Sequence, residues 1–223
     1  MSLRTALLRA LADRLEPQPA APVLRVAVDG VDGAGKTTFA DELAGVLRER
    51  GRTVIRASVD GFHAPREVRY RRGRTSPEGF YRDSYDLAGL RSALLDPLGP
   101  GGSGRYRTSI FDHTTDSPVH PPEEVAPPGS VLIFDGLFLH RPELRDVWDD
   151  SVFLHVPFGV SVPRGAARGP GYGSPDPHAA SNRRYVEGHR LYFREADPSG
   201  RAGVVVDNTD LAAPFVVRAS ALA

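Results

Sequence analysis

An α/β fold built on a mostly parallel, doubly wound sheet is what this sequence predicts, and three observations predict it. A glycine-rich stretch over 30–35 lies between an apolar run of strand length and a pattern of helical periodicity. Further short apolar runs then alternate with helical patterns along the chain. One of them, Val131-Leu132-Ile133-Phe134, has no polar side, as a strand covered on both faces requires. At 223 residues and 40% hydrophobic side chains, a single domain over 1–223 with a full core is expected.

The elements follow in order. Residues 2–15 predict a helix that Ser2 caps, with Leu3, Leu7, Leu8, Leu11 and Leu15 on one stripe. Pro17, Pro19 and Pro22 end it before a strand over Val23–Val28. Phe39, Leu43, Val46 and Leu47 recur at helical spacing after the glycines, and Arg50-Gly51-Arg52 closes that helix. A second strand over 53–59 ends in Asp60-Gly61-Phe62-His63. The polar stretch 64–85 interleaves Arg66, Arg69, Arg71, Arg72, Arg74 and Arg82 with Tyr70, Phe80 and Tyr81. A helical pattern over 86–95, a Gly/Pro loop over 97–104 and a strand-like alternation over 105–111 come next. A proline-rich connector leads to the apolar run that closes in Asp135-Gly136. Then come a short helix over 142–148, a strand over 151–156, and a mobile loop over 164–178 rich in Arg, Gly and Pro. A helix over 179–195, a strand leading into Asp207-Asn208, and an apolar run at 215–217 complete the chain, with no internal repeat.

The chemistry is concentrated in Gly30-Val31-Asp32-Gly33-Ala34-Gly35-Lys36-Thr37, which fits the P-loop pattern G-x-x-x-x-G-K-[ST] in its strand–loop–helix context. This makes the expected fold that of a P-loop NTPase, with a small lid. The glycines let backbone N–H groups turn inward around a polyphosphate, and the new helix points its positive end at it. Gly30, Asp32, Gly33, Ala34, Gly35, Lys36, Thr37 and Thr38 form the expected nucleotide cradle. Lys36 would reach the β- and γ-phosphates, and Thr37 would place its hydroxyl on Mg²⁺. Of the 28 lysines and arginines, Lys36 is the only lysine. A compact ammonium on a flexible stem is kept at the one place where it suits a phosphate better than a planar fork.

Ligands of open parallel sheets sit at the carboxyl ends of the strands. Asp135, closing an apolar run, has the position of a Walker-B aspartate that holds Mg²⁺; a helix N-cap is the competing role. Asp60 has the position of a carboxylate accepting a substrate hydroxyl proton; a turn aspartate before Gly61 competes with it. Asp112, His113 and Asp116 form a polar cluster suited to a hydroxylated small molecule, with His63 and His113 balanced between structural and functional roles. The seven histidines show no metal-ligand spacing. The run Arg69, Arg71, Arg72 and Arg74 reads as a solvated face. Arg164, Arg168, Arg183 and Arg184 flank the loop, where a closing lid would use at least one of them on the phosphates. A formal net charge of zero argues against nucleic acid as a bulk electrostatic partner. The absence of cysteine removes disulfide and thiolate chemistry. No stretch reads as a membrane span or signal peptide, so a cytoplasmic protein without a membrane partner is expected, open to homo-oligomerisation.

Together these stretches resemble a family. The P-loop, Asp60-Gly61-Phe62-His63, Phe111-Asp112-His113, Phe134-Asp135-Gly136 and the Arg164/Arg168 pair match, in order, the uridine kinase, phosphoribulokinase and pantothenate kinase group. The stretch from Asp60 through Arg69-Tyr70-Arg71-Arg72-Gly73 to Ser76-Pro77-Glu78-Gly79-Phe80-Tyr81 looks most like bacterial proteins called uridine kinase-like. The resemblance covers Leu24 to Asp210. It implies ATP with Mg²⁺ as phosphoryl donor, a nucleoside-like small-molecule acceptor and Asp60 as base. It also implies acceptor contacts from His63, Tyr81, Phe111 and His113, phosphate contacts from Arg164 and Arg168, and Asp207 and Asn208 near the adenine. The chain departs from the family in carrying Gly169 where the lid has an aspartate, Phe111 for a tyrosine, and Asp135 where uridine kinases often have Glu. Pro163, Gly165 and Pro170 would also weaken a lid helix.

Two other readings compete. The P-loop also resembles that of thymidylate kinase, a nucleoside monophosphate kinase, but that family's Asp-Arg-Tyr/His motif is absent. A guanine-nucleotide switch would need an Asn-Lys-x-Asp motif, which a chain with one lysine at 36 lacks.

Overall fold

Alternation along the first strand, β1 (Val23–Gly30), decides how the sheet is covered. Leu24, Val26 and Val28 point to one face and Val23 and Ala27 to the other, and every residue of the strand is buried. The structure is a computed structural model that describes residues 1–16, 23–169 and 173–220. Besides β1, the sheet contains β2 (Val54–Ser58), β3 (Ser130–Gly136), β4 (Asp150–His155), β5 (Val204–Asp207) and β6 (Phe215–Ala219), in the order β6-β5-β4-β1-β3-β2. All neighbours are parallel except β6, which runs antiparallel along the β5 edge with a register shift between Val216 and Arg218. The doubly wound P-loop NTPase fold expected from the sequence is present.

On one face α1 (Leu3–Leu15) and α2 (Lys36–Glu49) cover the sheet. Ser2 Oγ accepts the Thr5 N–H at 3.1 Å, and Leu7, Leu8, Leu11 and Leu15 are buried with Leu43 and Leu47 of α2. Each such side chain contributes about 1.5–3 kcal/mol by leaving water. The opposite face is covered by the chain between 59 and 106, the turns after β3, and the helix over Arg183–Ala196. Phe62, Phe80, Tyr81, Phe134, Phe138 and Tyr192 fill it. No helix among the described residues is long and apolar enough to cross a membrane.

Four local expectations differ from the structure, and Pro17, Pro19, Pro22 and Pro170 lie outside the described residues. The alternation over 105–111 is not one strand: Arg105–Tyr106 pairs with Glu124–Val125, and Phe111–Asp112 with Ser117–Pro118. Two-residue ribbons are all that the flanking prolines leave room for. The segment 142–148 is a run of turns, because Trp148 Nε1 donates to the Leu139 carbonyl at 2.8 Å and folds so short a stretch back. The polar stretch 64–85 contains two short helices, Arg66–Arg69 and α3 (Pro77–Asp83), the latter capped by Ser76. Finally α4 (Phe158–Ala166) runs through Pro163 and includes Arg164 and Gly165, so the loop begins only after it.

A buried carboxylate anchors the helix over Arg183–Ala196 and the turns after β3 to the end of β1. Asp29, fully buried at the end of β1, accepts Gly30 N–H at 2.7 Å, Leu139 N–H at 3.2 Å, His140 Nδ1–H at 2.8 Å and the Tyr192 hydroxyl. Tyr192 lies in α5 (Arg183–Ala196), and its hydroxyl also accepts His140 N–H at 2.9 Å. Tyr192→Phe removes one bond to a charged group and strands a backbone donor. It is expected to cost about 1.5–3 kcal/mol, read as a lower urea midpoint with unchanged slope.

Candidate active site

The loop between β1 and α2 forms the floor of the site. Gly33 and Gly35 adopt φ of 75° and 86°, which side chains beyond glycine rarely tolerate. A Cβ on Gly33 would meet the Ser161 carbonyl oxygen at 2.0 Å, so α4 rests directly on the loop. Gly35 caps α2 without any side-chain hydrogen bond, which leaves the first-turn N–H groups of Lys36, Thr37 and Thr38 facing outward. That is an anion site at the positive end of a 14-residue helix.

Parallel register brings the carboxylates to the loop. Asp135 on β3 lies between Val28 of β1 and Ser58 of β2. Its Oδ2 accepts the Thr37 hydroxyl at 2.8 Å, and its Oδ1 pairs with Arg56 Nη2 at 2.9 Å. Asp60 lies in a helical turn over Val59–Phe62 directly after β2. A cleft joins Asp60 and Asp135 with Asp32, Lys36, Thr37 and Arg168. Lys36 Nζ donates to the Val31 carbonyl at 2.8 Å. Burial lowers its pKa, while Asp32, Asp29, Asp135 and Asp60 act in the opposite sense. Burial would raise the Asp32 carboxyl, but the hydrogen bond and charge of His189, then Lys36 and Arg168, hold it below its ordinary value. His189 Nε2 lies 3.1 Å from Asp32 Oδ2, while its Nδ1 is buried without a partner.

On the acceptor side, His63 Nδ1 donates to the Asp60 carbonyl at 3.0 Å, and its ring stacks on His113 at 4.7 Å and leans on Tyr85 at 4.8 Å. Burial pushes the His63 imidazole pKa down, partly offset by Asp60. Burial, reinforced by Asp60, pushes the Tyr85 phenol well up, so its hydroxyl keeps its proton. His63 and His113, chosen separately from the sequence, are thus one unit.

Other expected site residues are placed differently. Tyr81 is 1% exposed and packs in the core against Phe138 and Tyr192, with Arg141 over its ring, so it does not reach an acceptor. Phe111 is buried in its two-residue ribbon. Asp112 closes its own turn, accepting Thr114 N–H at 2.8 Å and the Thr115 hydroxyl at 3.0 Å. Asp207 likewise takes Thr209 N–H at 2.8 Å. Asn208 is fully buried and braces the loop from behind, donating to the Ala34 carbonyl at 2.7 Å and accepting from Arg4. Its side chain is a support for the cradle rather than a nucleotide contact. The two lid arginines divide as well. Arg164 donates to the carbonyls of Asn208, at 3.0 Å, and Thr209, whereas Arg168 lines the cleft.

Sequence reasoning missed Arg56, Asp29, Tyr85 and His189. Arg56 alternates with Ile55 and Ala57 in β2, which marks a face of the strand but not a carboxylate partner. His189 has no motif around it.

Comparison with solved structures agrees with this geometry. A candidate uridine kinase from Bacillus stearothermophilus is 25% identical, with a TM-score of 0.70 over 89% of this chain and 96% of that one. The fold is that of a P-loop kinase. A candidate fructose transport system kinase from Silicibacter sp. is 28% identical, with a TM-score of 0.67 over 88% of this chain and 96% of that one. Phosphoribulokinase from Rhodobacter spheroides shares the fold at 14% identity, with a TM-score of 0.56 over 85% of this chain and 71% of that one. No protein-family model and no curated protein matches the chain. The structural neighbours support a small-molecule kinase.

Arg168→Ala is expected to lower turnover with little change in melting temperature. Arg164→Ala is expected to lower the melting temperature, because it releases the Asn208 and Thr209 carbonyls. Paired thermal melts and ADP-release assays check both.

Proposed function

We propose that this protein transfers the γ-phosphoryl group of ATP to the hydroxyl of a small molecule, with Asp60 as the proton acceptor. The observation that carries the reading is the meeting of two carboxylates, Asp60 and Asp135, with Lys36, Thr37 and Arg168 around an uncapped helix N-terminus. The acceptor oxygen attacks the γ-phosphorus, its proton passes to Asp60, and the bond to the β,γ-bridging oxygen breaks to release ADP. Lys36 and Arg168 offset charge on the transferring group and the departing diphosphate.

Charge balance also favours a divalent cation. A polyphosphate would enter a cleft already lined by Asp32, Asp60 and Asp135, faced by Lys36 and Arg168. Among the described residues no three His, Cys, Asp or Glu side chains gather as a metal site. Mg²⁺ would therefore be held by Thr37 and Asp135 together with phosphate oxygens, as that ion is commonly bound with nucleotides. When bound, it would offset the negative charge of the β- and γ-phosphates.

For the acceptor, likeness to the candidate uridine kinase taken alone would give the 5′-hydroxyl of a pyrimidine nucleoside. The His63, His113 and Tyr85 cluster supplies a wall against which such a molecule could lie.

The test separates the two carboxylates. Asp60→Asn is expected to lower kcat by about 10²–10⁴-fold while ATP affinity holds. Asp135→Asn is expected to raise the Mg²⁺ concentration needed for half-maximal rate. Wild-type turnover by Asp60→Asn, followed by ADP release across acceptors, would remove the assigned base.

A further inference from the structure

Of the arginine run after His63, Arg71, Arg72 and Arg74 are exposed, as their spacing suggests, whereas Arg69 is half-buried. Arg71 and Arg72 both bind the buried Asp83, at 2.5 Å and 2.9 Å. Arg69 pairs with Asp116 at 2.7 Å, yet its Nε is buried with no partner. Arg184, in the first turn of α5, approaches from the other side, and it is 8% exposed. It donates to the Arg74 carbonyl oxygen at 2.7 Å. The guanidinium carbons of Arg184, Arg74 and Arg69 lie 4.8, 5.0 and 5.7 Å from the ring centre of Tyr70.

Among the described residues, no carboxylate comes within ion-pair distance of Arg184 or Arg74. Burial, with the like charge of Arg69 acting in the same sense, lowers the Arg184 pKa. A nearly buried guanidinium without an opposite charge is unfavourable in isolation, and stacking on Tyr70 and Phe80 recovers only part of that cost.

This patch borders the reaction centre. Arg184 lies over the Phe80 ring at 5.6 Å, that ring meets His189 at 5.7 Å, and His189 Nε2 lies 3.1 Å from Asp32 Oδ2 of the cradle. Tyr185, next to Arg184, feels Asp32 of the cradle as well. An acceptor whose hydroxyl faces Asp60 would extend its far end past His63 toward these guanidiniums.

We propose that Arg184, with Arg69 and Arg74, binds an anionic group on the acceptor, so that the substrate is an alcohol carrying a phosphate or carboxylate rather than a neutral nucleoside. Planar guanidinium forks match both oxyanions, and Tyr70 holds them in place before the ligand arrives. The inference takes from the proposed function only that the acceptor hydroxyl is phosphorylated at Asp60. The transfer is balanced as before: the hydroxyl oxygen gains the phosphoryl group, Asp60 gains the proton, and ADP leaves. The anionic group is a handle that does not react.

Calorimetric titration and ADP release with Mg-ATP decide it, using ribose 5-phosphate, D-glycerate and uridine as probes. Wild-type protein is expected to bind one of the two anionic probes and to phosphorylate it in preference to uridine, and the choice between them identifies phosphate or carboxylate. Arg184→Gln is expected to raise the KM for that probe by about tenfold or more, with the KM for ATP unchanged. Arg74→Gln, at an exposed position, is expected to weaken binding in the same direction and carries the test if Arg184→Gln does not fold. Uridine turned over in preference to both anions, or anion binding indifferent to both substitutions, overturns the inference and leaves the kinase reading standing. Arginine-dependent anion binding without phosphoryl transfer to any probe upholds the anion site and removes the kinase reading. Failure of both anions to bind wild-type protein overturns the inference whatever the enzyme phosphorylates.

Discussion

One ammonium among four carboxylates is the constraint around which this molecule is built. Lys36 is half-buried in the cleft, and Asp32, Asp29, Asp135 and Asp60 all act on its charge. Each carboxylate is held by a different device. Asp29 is fixed by donors from two loops and α5, Asp32 by His189, Asp135 by Thr37 and Arg56, and Asp60 by its place at the end of β2. Charges confined this way cannot relax when a polyphosphate approaches, so the site demands cations with its ligand. The same confinement gives each group a fixed address relative to the helix N-terminus.

Packing supplies the rest of the geometry. The missing side chain of Gly33 lets α4 sit on the loop, and Arg164 ties that helix to the carbonyls after β5. Asn208 completes the enclosure by holding Ala34 from below. The cradle is therefore clamped from both sides by elements far away in sequence, and Arg168 is carried to the cleft just beyond the clamp. A helix running through Pro163 forgoes a backbone hydrogen bond, and these tertiary contacts offset that loss.

The sheet and the cradle were legible because their signals are local and periodic. An apolar strand, the three loop glycines Gly30, Gly33 and Gly35, a lysine and a helical stripe all fall between Val23 and Leu47. Asp60 and Asp135 were legible because each ends a strand, and parallel sheets present strand ends to ligands. The acceptor side was much less so. Tyr81 and Tyr85 are four residues apart in one polar stretch and both are buried, yet α3 turns the first onto Phe138 and Tyr192 while the second packs against His63. Arg164 and Arg168 differ only in whether a helix still holds them. Such choices depend on which carbonyl or ring stands opposite in space, and spacing along the chain does not encode that.

The most direct test of the charge constraint is ATP affinity, titrated calorimetrically in Mg²⁺ and in EDTA for wild-type protein and Lys36→Ala. The account predicts that wild-type affinity falls by about tenfold or more in EDTA, and that Lys36→Ala weakens binding in both conditions while keeping the fold. Equal affinity with and without the divalent cation, or full affinity in Lys36→Ala, would contradict it.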